Sequence, residues 1–388
     1  MNLDRRQFLV TALASRGFGG EAKPLFPAFS WERIPVFNHM LKRDAHLTPD
    51  EAKHLARFPM VTVEKSHARG AGVSCEEGIY QAARQIKDAN PATKVLFYLN
   101  LVIDWPGYEA SATFERHPEW RLRDRSGNEV TFRGRFLFDL SQPALREWWS
   151  DTVAGAMRRA PLDGVFADAV PKVAMAEASN RKLWGDAKYE AVEHGLRELL
   201  ALTKRKIGPE KILLINGLRG RLQSWKDGGL RYLEYADAAM IEHFAGVSSV
   251  GQDGRLSPDV VLADLDLMRQ AAQKGKLIQV KAWPAFAHGF PDASKFPASQ
   301  AERVRLARQQ IEFPLAAFLI GAEKHCYFGY SWGYTLDDGW MEWYPEFDRK
   351  LGPPKGPAQR NGSQFTREYE HARVQVDLAR EWGKVEWM

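Results

Sequence analysis

"LDGVFADAVPK", residues 162–172, runs an apolar segment straight into a carboxylate. Val165, Phe166 and Ala167 read as the buried body of a strand. Asp168 ends it, and the helix-breaking Pro171 and the cation Lys172 follow at once. Two readings are open. Asp168 is a catalytic carboxylate at a strand end, or it is a solvated aspartate that caps the next loop or pairs with Lys172. The position of this strand in the chain decides what the segment means.

Seven further runs of the same kind are spaced along the sequence. IPVFNH (34–39), MVTVEK (60–65) and VLFYLN (95–100) precede GVFADA (164–169). ILLING (212–217), AAMIEHF (238–244), LIQVKAW (277–283) and CYFGYS (326–331) follow it. Amphipathic stretches with helix signals separate them. TPDEAKHLARF opens on a Thr48 cap with Pro49 in its first turn, and SCEEGIYQAARQIKDANP has Ser74 and two acids at its start. QPALREWWSDTVAGAMRR starts near Pro143 and finishes on two arginines, which suits the helix dipole. RKLWGDAKYEAVEHGLRELLALTKRKIG stops at Gly208 and PDVVLADLDLMRQAAQKG at Gly275, while AERVRLARQQIEFPLAAFLIG carries Pro314, where a kink or break is expected. Eight strands alternating with helices predict an α/β fold, a (β/α)8 TIM barrel. A doubly wound sheet is the runner-up. The first strand, however, leads into NHMLKRDAH, which has no glycine to cradle a dinucleotide phosphate.

This makes LDGVFADAVPK the fourth barrel strand and puts Asp168 on the rim where barrel active sites lie. Residues 101–142 are a long insertion after the third strand, with a hairpin turn expected at Ser126-Gly127-Asn128. Residues 1–28 read as an export signal or an arm, 29–350 as the barrel, and 351–388 as a linker and a C-terminal β-hairpin. Ala372, Val374, Val376 and Leu378 of that hairpin face inward.

The 388 residues are 45% hydrophobic and 27% charged, enough for a large core. The net charge of +5 is spread with no basic block, so it speaks for solubility with a lean toward anionic ligands, and not for nucleic acid. Cys75 and Cys326 show no metal spacing, and nothing requires a disulfide between them. No apolar run reaches the roughly 18–20 residues of a membrane span. MNLDRRQFLVTALASRGFGG resembles a twin-arginine export signal through Arg5-Arg6, a short apolar stretch and Ala-Leu-Ala; an ordinary basic arm is the other reading. The expected compartment is periplasmic or extracellular, with the cytoplasm as the alternative.

The strand ends supply the candidate site residues. They are Asn38 and His39, Glu64 and Lys65, Asn100, Asp168, Asn216, Glu242 and His243, Lys281 and Trp283, and Tyr330, Ser331 and Trp332. Two carboxylates in one pocket are what glycosidic cleavage needs, one ionised and one proton-donating. Asp168 and Glu242 are the expected pair, with an internal ion pair the bland reading for Glu242. Glu64 is a lesser candidate, or a partner of Lys65. Asp139 anchors its loop or touches substrate. His39 and His243 have no metal-binding spacing, so neither metal nor cofactor is expected. Trp105, Trp120, Trp283, Trp332, Trp340 and Trp343 are candidates to stack on sugar rings, or to pack the loops on the barrel.

FLFDLSQPALREWWSDTVAGAMRRAPLDGVFADAV, with HPEWRLRDRSGNEV before it, resembles a block found in TIM-barrel glycoside hydrolases. The chain looks like the bacterial glycoside-hydrolase-like barrel families and is more distantly similar to the α-galactosidase clan. Residues 114–172 carry the likeness, and the rest matches in architecture. The resemblance implies Asp168 as nucleophile and Glu242 as general acid/base, where the clan usually has an aspartate. The expected function is cofactor-free cleavage of a poly- or oligosaccharide, with retention. A non-catalytic carbohydrate-binding barrel and a metal-assisted barrel hydrolase are the alternatives.

Overall fold

Each of the eight apolar runs is a strand in the computed structural model, which describes residues 24–220, 227–246, 257–288 and 296–388 with Trp225 and Ser294. The export-like stretch lies outside the described residues. In chain order the barrel strands are β1 (Asn38–Met40), β2 (Met60–Val63), β3 (Lys94–Asn100), β6 (Gly164–Asp168), β7 (Ile212–Asn216), β8 (Ala238–Phe244), β9 (Leu277–Ala282) and β10 (Cys326–Tyr330). The numbers β4 (Thr131–Phe132) and β5 (Arg135–Phe136) belong to a hairpin inside the insertion.

The barrel strands pair in sequence order, all parallel. A parallel bridge from Val36 to Phe328 joins the first to the last and closes the ring. The fold is a (β/α)8 barrel. Its strands are apolar runs because helices cover their outer face and side chains fill their inner one.

The helices follow their caps. Thr48 and Glu51 form a reciprocal capping box at the start of α1 (Pro49–Leu55), and Ser74 caps α2 (Cys75–Ala89). After the short α3 (Ser111–Glu115), α4 (Pro143–Arg159) runs as expected. The next stretch breaks into α5 (Val170–Ala174), α6 (Glu177–Trp184) and α7 (Asp186–Ile207). Gly185, at φ 92°, divides the last two, so the single long helix expected there is two. After α8 (Pro258–Gln273), the Pro314 stretch divides at Ile311 into α9 (Gln300–Gln310) and α10 (Glu312–Gly321). In that arrangement Pro314 sits in the first turn of α10, where its missing N–H costs nothing.

The insertion holds two tight turns. Asp124 Oδ1 accepts the N–H groups of Ser126 and Asn128 at the first, and β4 and β5 meet at Arg133-Gly134, both at positive φ.

The C-terminus is larger than a hairpin. Strands β11 (Gln359–Asn361), β12 (Gln364–Glu368), β13 (Ala372–Asp377) and β14 (Trp382–Trp387) form a four-stranded antiparallel sheet. The stretch read as a linker supplies β11, and Gly383 lies within β14. The sheet packs on α10, whose residues from Pro314 to Ile320 are all buried. Arg367 reaches from β12 to the carbonyls of Leu319 and Ala322, which are left open at the helix C-terminus. Cys75 and Cys326 are both free and buried. No helix among the described residues is long and apolar enough to cross a membrane.

Gly164 opens β6 where the neighbouring backbone is very close. A Cβ there would sit 2.1 Å from the Ile212 carbonyl oxygen, on the adjacent strand. Backbone cannot swing aside like a side-chain tip. Gly164→Ala is therefore expected to destabilise the barrel by about 3 kcal/mol or more, read as a lower urea midpoint at unchanged slope.

Candidate active site

The C-terminal strand ends surround a cavity of about 300 Å³. His39, Glu64, Lys65, Asp168, Asn216 and Glu242, each expected from the sequence, line it together. Arg43, Ser66, Tyr98, Phe166, Tyr334 and Asp338 complete most of the wall.

Asp168 ends β6 in register with Asn100 on β3. Asn100 Nδ2 donates to Asp168 Oδ2 at 3.0 Å, and the Tyr98 hydroxyl donates to the same oxygen. Asn100 is itself held by two backbone N–H groups, of Val102 and Ile103, that donate to its Oδ1. On the other side Asn216 Nδ2 donates to Asp168 Oδ1 at 2.9 Å. The same nitrogen donates to Glu242 Oε2 at 2.8 Å. One amide therefore joins the two carboxylates. With 2.9 and 2.8 Å to one nitrogen, the two acceptor oxygens stand less than about 6 Å apart.

Glu242 has further partners. The Tyr334 hydroxyl donates to Oε1 at 2.6 Å, Arg219 lies 3.3 Å from Oε2, and His243 Nε2 lies 3.5 Å from Oε1. His243, at φ 61°, stacks on the buried Trp283. Glu64 binds Lys65 at 2.8 Å and stands 3.4 Å from His39. Lys65 also reaches the Tyr98 hydroxyl at 3.3 Å. Phe166, read from sequence as plain packing, instead lines the cavity, edge-on to His39 and stacked on Tyr98.

These surroundings separate the two carboxyls electrostatically. Burial pushes Asp168 up, Lys65 pulls it down, and Glu242 adds to the rise; the net shift is upward. Burial would also raise Glu242, but His243, Arg219 and the donors Tyr334 and Asn216 outweigh it. Its pKa falls below the ordinary carboxylate range. Glu64 is buried too, yet Lys65 and His39 hold its pKa down.

The other expected site residues lie outside this cavity. Asn38 donates to the Trp340 carbonyl. Asp139 is tied to Ser141 and Lys188, and so anchors the loop before α4. Tyr330 donates to the Ala307 carbonyl, Ser331 Oγ to the Gly333 carbonyl and Trp332 to the Asp337 carbonyl. No tryptophan is among the residues lining the cavity. Trp120, Trp283, Trp332 and Trp340 are buried and Trp105 and Trp343 half-buried, so the expected ring of stacking indoles is mostly packing.

Lys281 is buried beneath the site, with its Nζ donating to the Ser331 carbonyl at 2.7 Å and lying over the Trp283 ring. Burial lowers its pKa to about 7. Between about pH 7 and its unfolded value near 10.4, the unfolded chain holds the extra proton, so stability rises with pH. Relative to Lys281→Met, the wild type should gain urea resistance steadily across that interval.

Tyr98, Tyr334 and Arg219 are functional candidates the sequence reading missed. Tyr98 had a signal, since it stands two residues before Asn100 and so on the same face of β3. Tyr334 and Arg219 lie in loops, where no periodicity points to them.

A family model described as "Hypothetical glycosyl hydrolase family 15" matches residues 87–373. No curated protein matches the chain. Among solved structures, the GH36 alpha-galactosidase AgaB from Geobacillus stearothermophilus is 12% identical, with TM-score 0.50, over 90% of this chain and 48% of its own. The noncanonic maltogenic alpha-amylase AmyB from Thermotoga neapolitana is 11% identical, with TM-score 0.50, over 89% and 86%. An alpha-amylase from Malbranchea cinnamomea is 10% identical, with TM-score 0.49, over 89% and 85%. At these identities the likeness to the two structures with TM-score 0.50 is one of fold alone. The chain spans about half the length, 48%, of the alpha-galactosidases it matches.

Proposed function

The chain belongs to the hypothetical glycosyl hydrolase family 15, and from that premise we propose that it is a retaining glycosidase acting on an oligo- or polysaccharide through Asp168 and Glu242. The observation that carries this is the Asn216 amide, which donates to both carboxylates from one nitrogen. A separation under about 6 Å suits attack by one carboxylate on the anomeric carbon. Inversion needs roughly 6.5–9.5 Å, to seat a water between.

In the first half-reaction one carboxylate bonds to the anomeric carbon as the glycosidic C–O bond breaks. The other carboxyl gives its proton to the departing oxygen. Water, deprotonated by that second group, then cleaves the glycosyl-enzyme ester and restores both. Asn216 keeps the pair in register throughout. Its buried Oδ1 has no protein partner among the described residues.

The resemblance assigns attack to Asp168 and proton donation to Glu242. The electrostatics of the site favour the exchange of roles. Arg219 and His243 hold Glu242 ionised, as a nucleophile must be, while burial raises Asp168 as a proton donor requires. Both readings use the same two groups.

A panel of aryl glycosides and neutral and acidic oligosaccharides tests the activity. At least one should be turned over by the wild type and be untouched by chelator. No turnover across the panel, with glycans still bound, would favour a non-catalytic binding barrel. We also read residues 1–20 as an export signal; a fusion retained in the cytoplasm regardless of Arg5-Arg6→Lys-Lys would contradict that.

A further inference from the structure

The C-terminal sheet has two unlike faces. Phe365, Val374, Val376 and Val385 point inward and are buried, and Gly383 lies against Ala316 and Phe313 of α10 so closely that a Cβ would not fit. The opposite face is built in rows across the strands. Asn361, Gln364, Asp377 and Trp382 pair in register along one row, and Gln359, Thr366, Gln375 and Lys384 along the next. A cavity of about 550 Å³ lies on this face, bounded by Gln364, Thr366, Gln375, Arg380 and Trp382.

Outward polar residues are the habit of a sheet with one face in water. Trp382 is not explained that way. The residue is 48% exposed, while the other tryptophans are all buried or half-buried. An indole left half in water forgoes much of the burial it could gain. The same indole offers a flat apolar surface for the C–H face of a pyranose ring. Amides and a hydroxyl at one strand spacing, about 4.8 Å, suit the hydroxyls around that ring.

The charge on this face is balanced locally. Arg380 lies 3.7 Å from Asp377, Lys384 lies 3.4 Å from Glu312, and Arg373 lies 3.2 Å from Glu368. Asp377 is occupied in holding the β13–β14 turn, accepting from Ser363, Gln364 and the Ala379 N–H. Paired charges give an anion no net attraction. Hydrogen-bonding amides beside one bare indole therefore point to an uncharged ligand.

We infer that the outer face of the C-terminal sheet is a second glycan-binding site, which takes a neutral oligosaccharide chain with one ring stacked on Trp382. It is a surface separate from the catalytic cavity, and its occupation needs no turnover. Its role is to hold a neutral polymer near the barrel.

Native electrophoresis of the full chain through gels containing amylopectin, galactomannan, xylan or mixed-linkage β-glucan tests this, with polygalacturonate as the charged comparison. At least one neutral polymer should retard the wild type. Trp382→Ala and Gln375→Ala should each weaken that retention at least tenfold, Trp382→Tyr should restore part of it, and Asp168→Asn should leave it intact. Turnover of a short soluble substrate should be unchanged in Trp382→Ala. The inference is overturned if no neutral polymer retards the wild type, or if Trp382→Ala is retained like wild type. Retention lost in Asp168→Asn instead would overturn it as well, by moving the binding to the cavity. So would a Trp382-dependent dimer in sedimentation without polymer retention, since the face would then be a subunit contact. Retention without any hydrolysis would leave this site standing and sink only the catalytic reading.

Discussion

Asp168→Asn is expected to lower kcat by at least about 10³-fold with the fold intact. The change keeps the shape of the side chain and removes its charge and its proton chemistry. The Tyr98 hydroxyl and the Asn100 and Asn216 amides all donate to this carboxylate. An amide in its place turns an N–H toward at least one donor, so local rearrangement adds to the chemical loss. Sodium azide then reports the role. If Asp168 is the nucleophile, azide takes its place and the glycosyl azide has inverted configuration. If Asp168 is the acid/base, azide attacks the glycosyl-enzyme and the product keeps its configuration. Wild-type turnover by the variant would remove Asp168 from the mechanism.

Glu242→Gln should cost about 10²–10⁴-fold in kcat, and the size of the loss should depend on the leaving group in one reading only. As acid/base, Glu242 matters most for sugars with poor leaving groups. Aryl glycosides that depart without protonation should then form the glycosyl-enzyme nearly as fast as with wild type. As nucleophile, Glu242 is needed for every substrate, and the loss should be uniform. The substitution also removes the negative charge that Arg219 and His243 face and that helps to raise Asp168. The Asp168 carboxyl should therefore titrate lower in Glu242→Gln. In the wild type that carboxyl sits above its usual range, so its limb of the pH–rate profile should shift toward acid in the variant.

The barrel was legible because a parallel strand buried on both faces leaves a dense apolar run, and eight such runs alternate with capped helices. Strand counting also brought Asp168, Asn216, Glu242, Glu64, Lys65 and His39 to one rim, and they line one cavity. Tyr98 was readable through its spacing from Asn100. Tyr334 was not, because the loop after β10 reaches Glu242 by a path no local pattern encodes. The tryptophans misled for a physical reason. Indoles at strand ends fill the wide gaps between long loops and barrel, and Trp283 and Trp332 are spent there with hardly any surface in water. The exposed indole is Trp382, on a sheet that was read as a simple hairpin. Its first strand was hidden in a stretch of proline, glycine and polar residues that carries no apolar alternation.

The claim that Asp168 and Glu242 work as a pair joined by Asn216 is tested most directly by the first product formed. Proton NMR of a substrate found in the panel, recorded before mutarotation, resolves the anomeric signal. The account predicts that the newly released sugar has the configuration of the bond that was cut. An initial product of opposite configuration would require a water seated between the carboxylates and would contradict it.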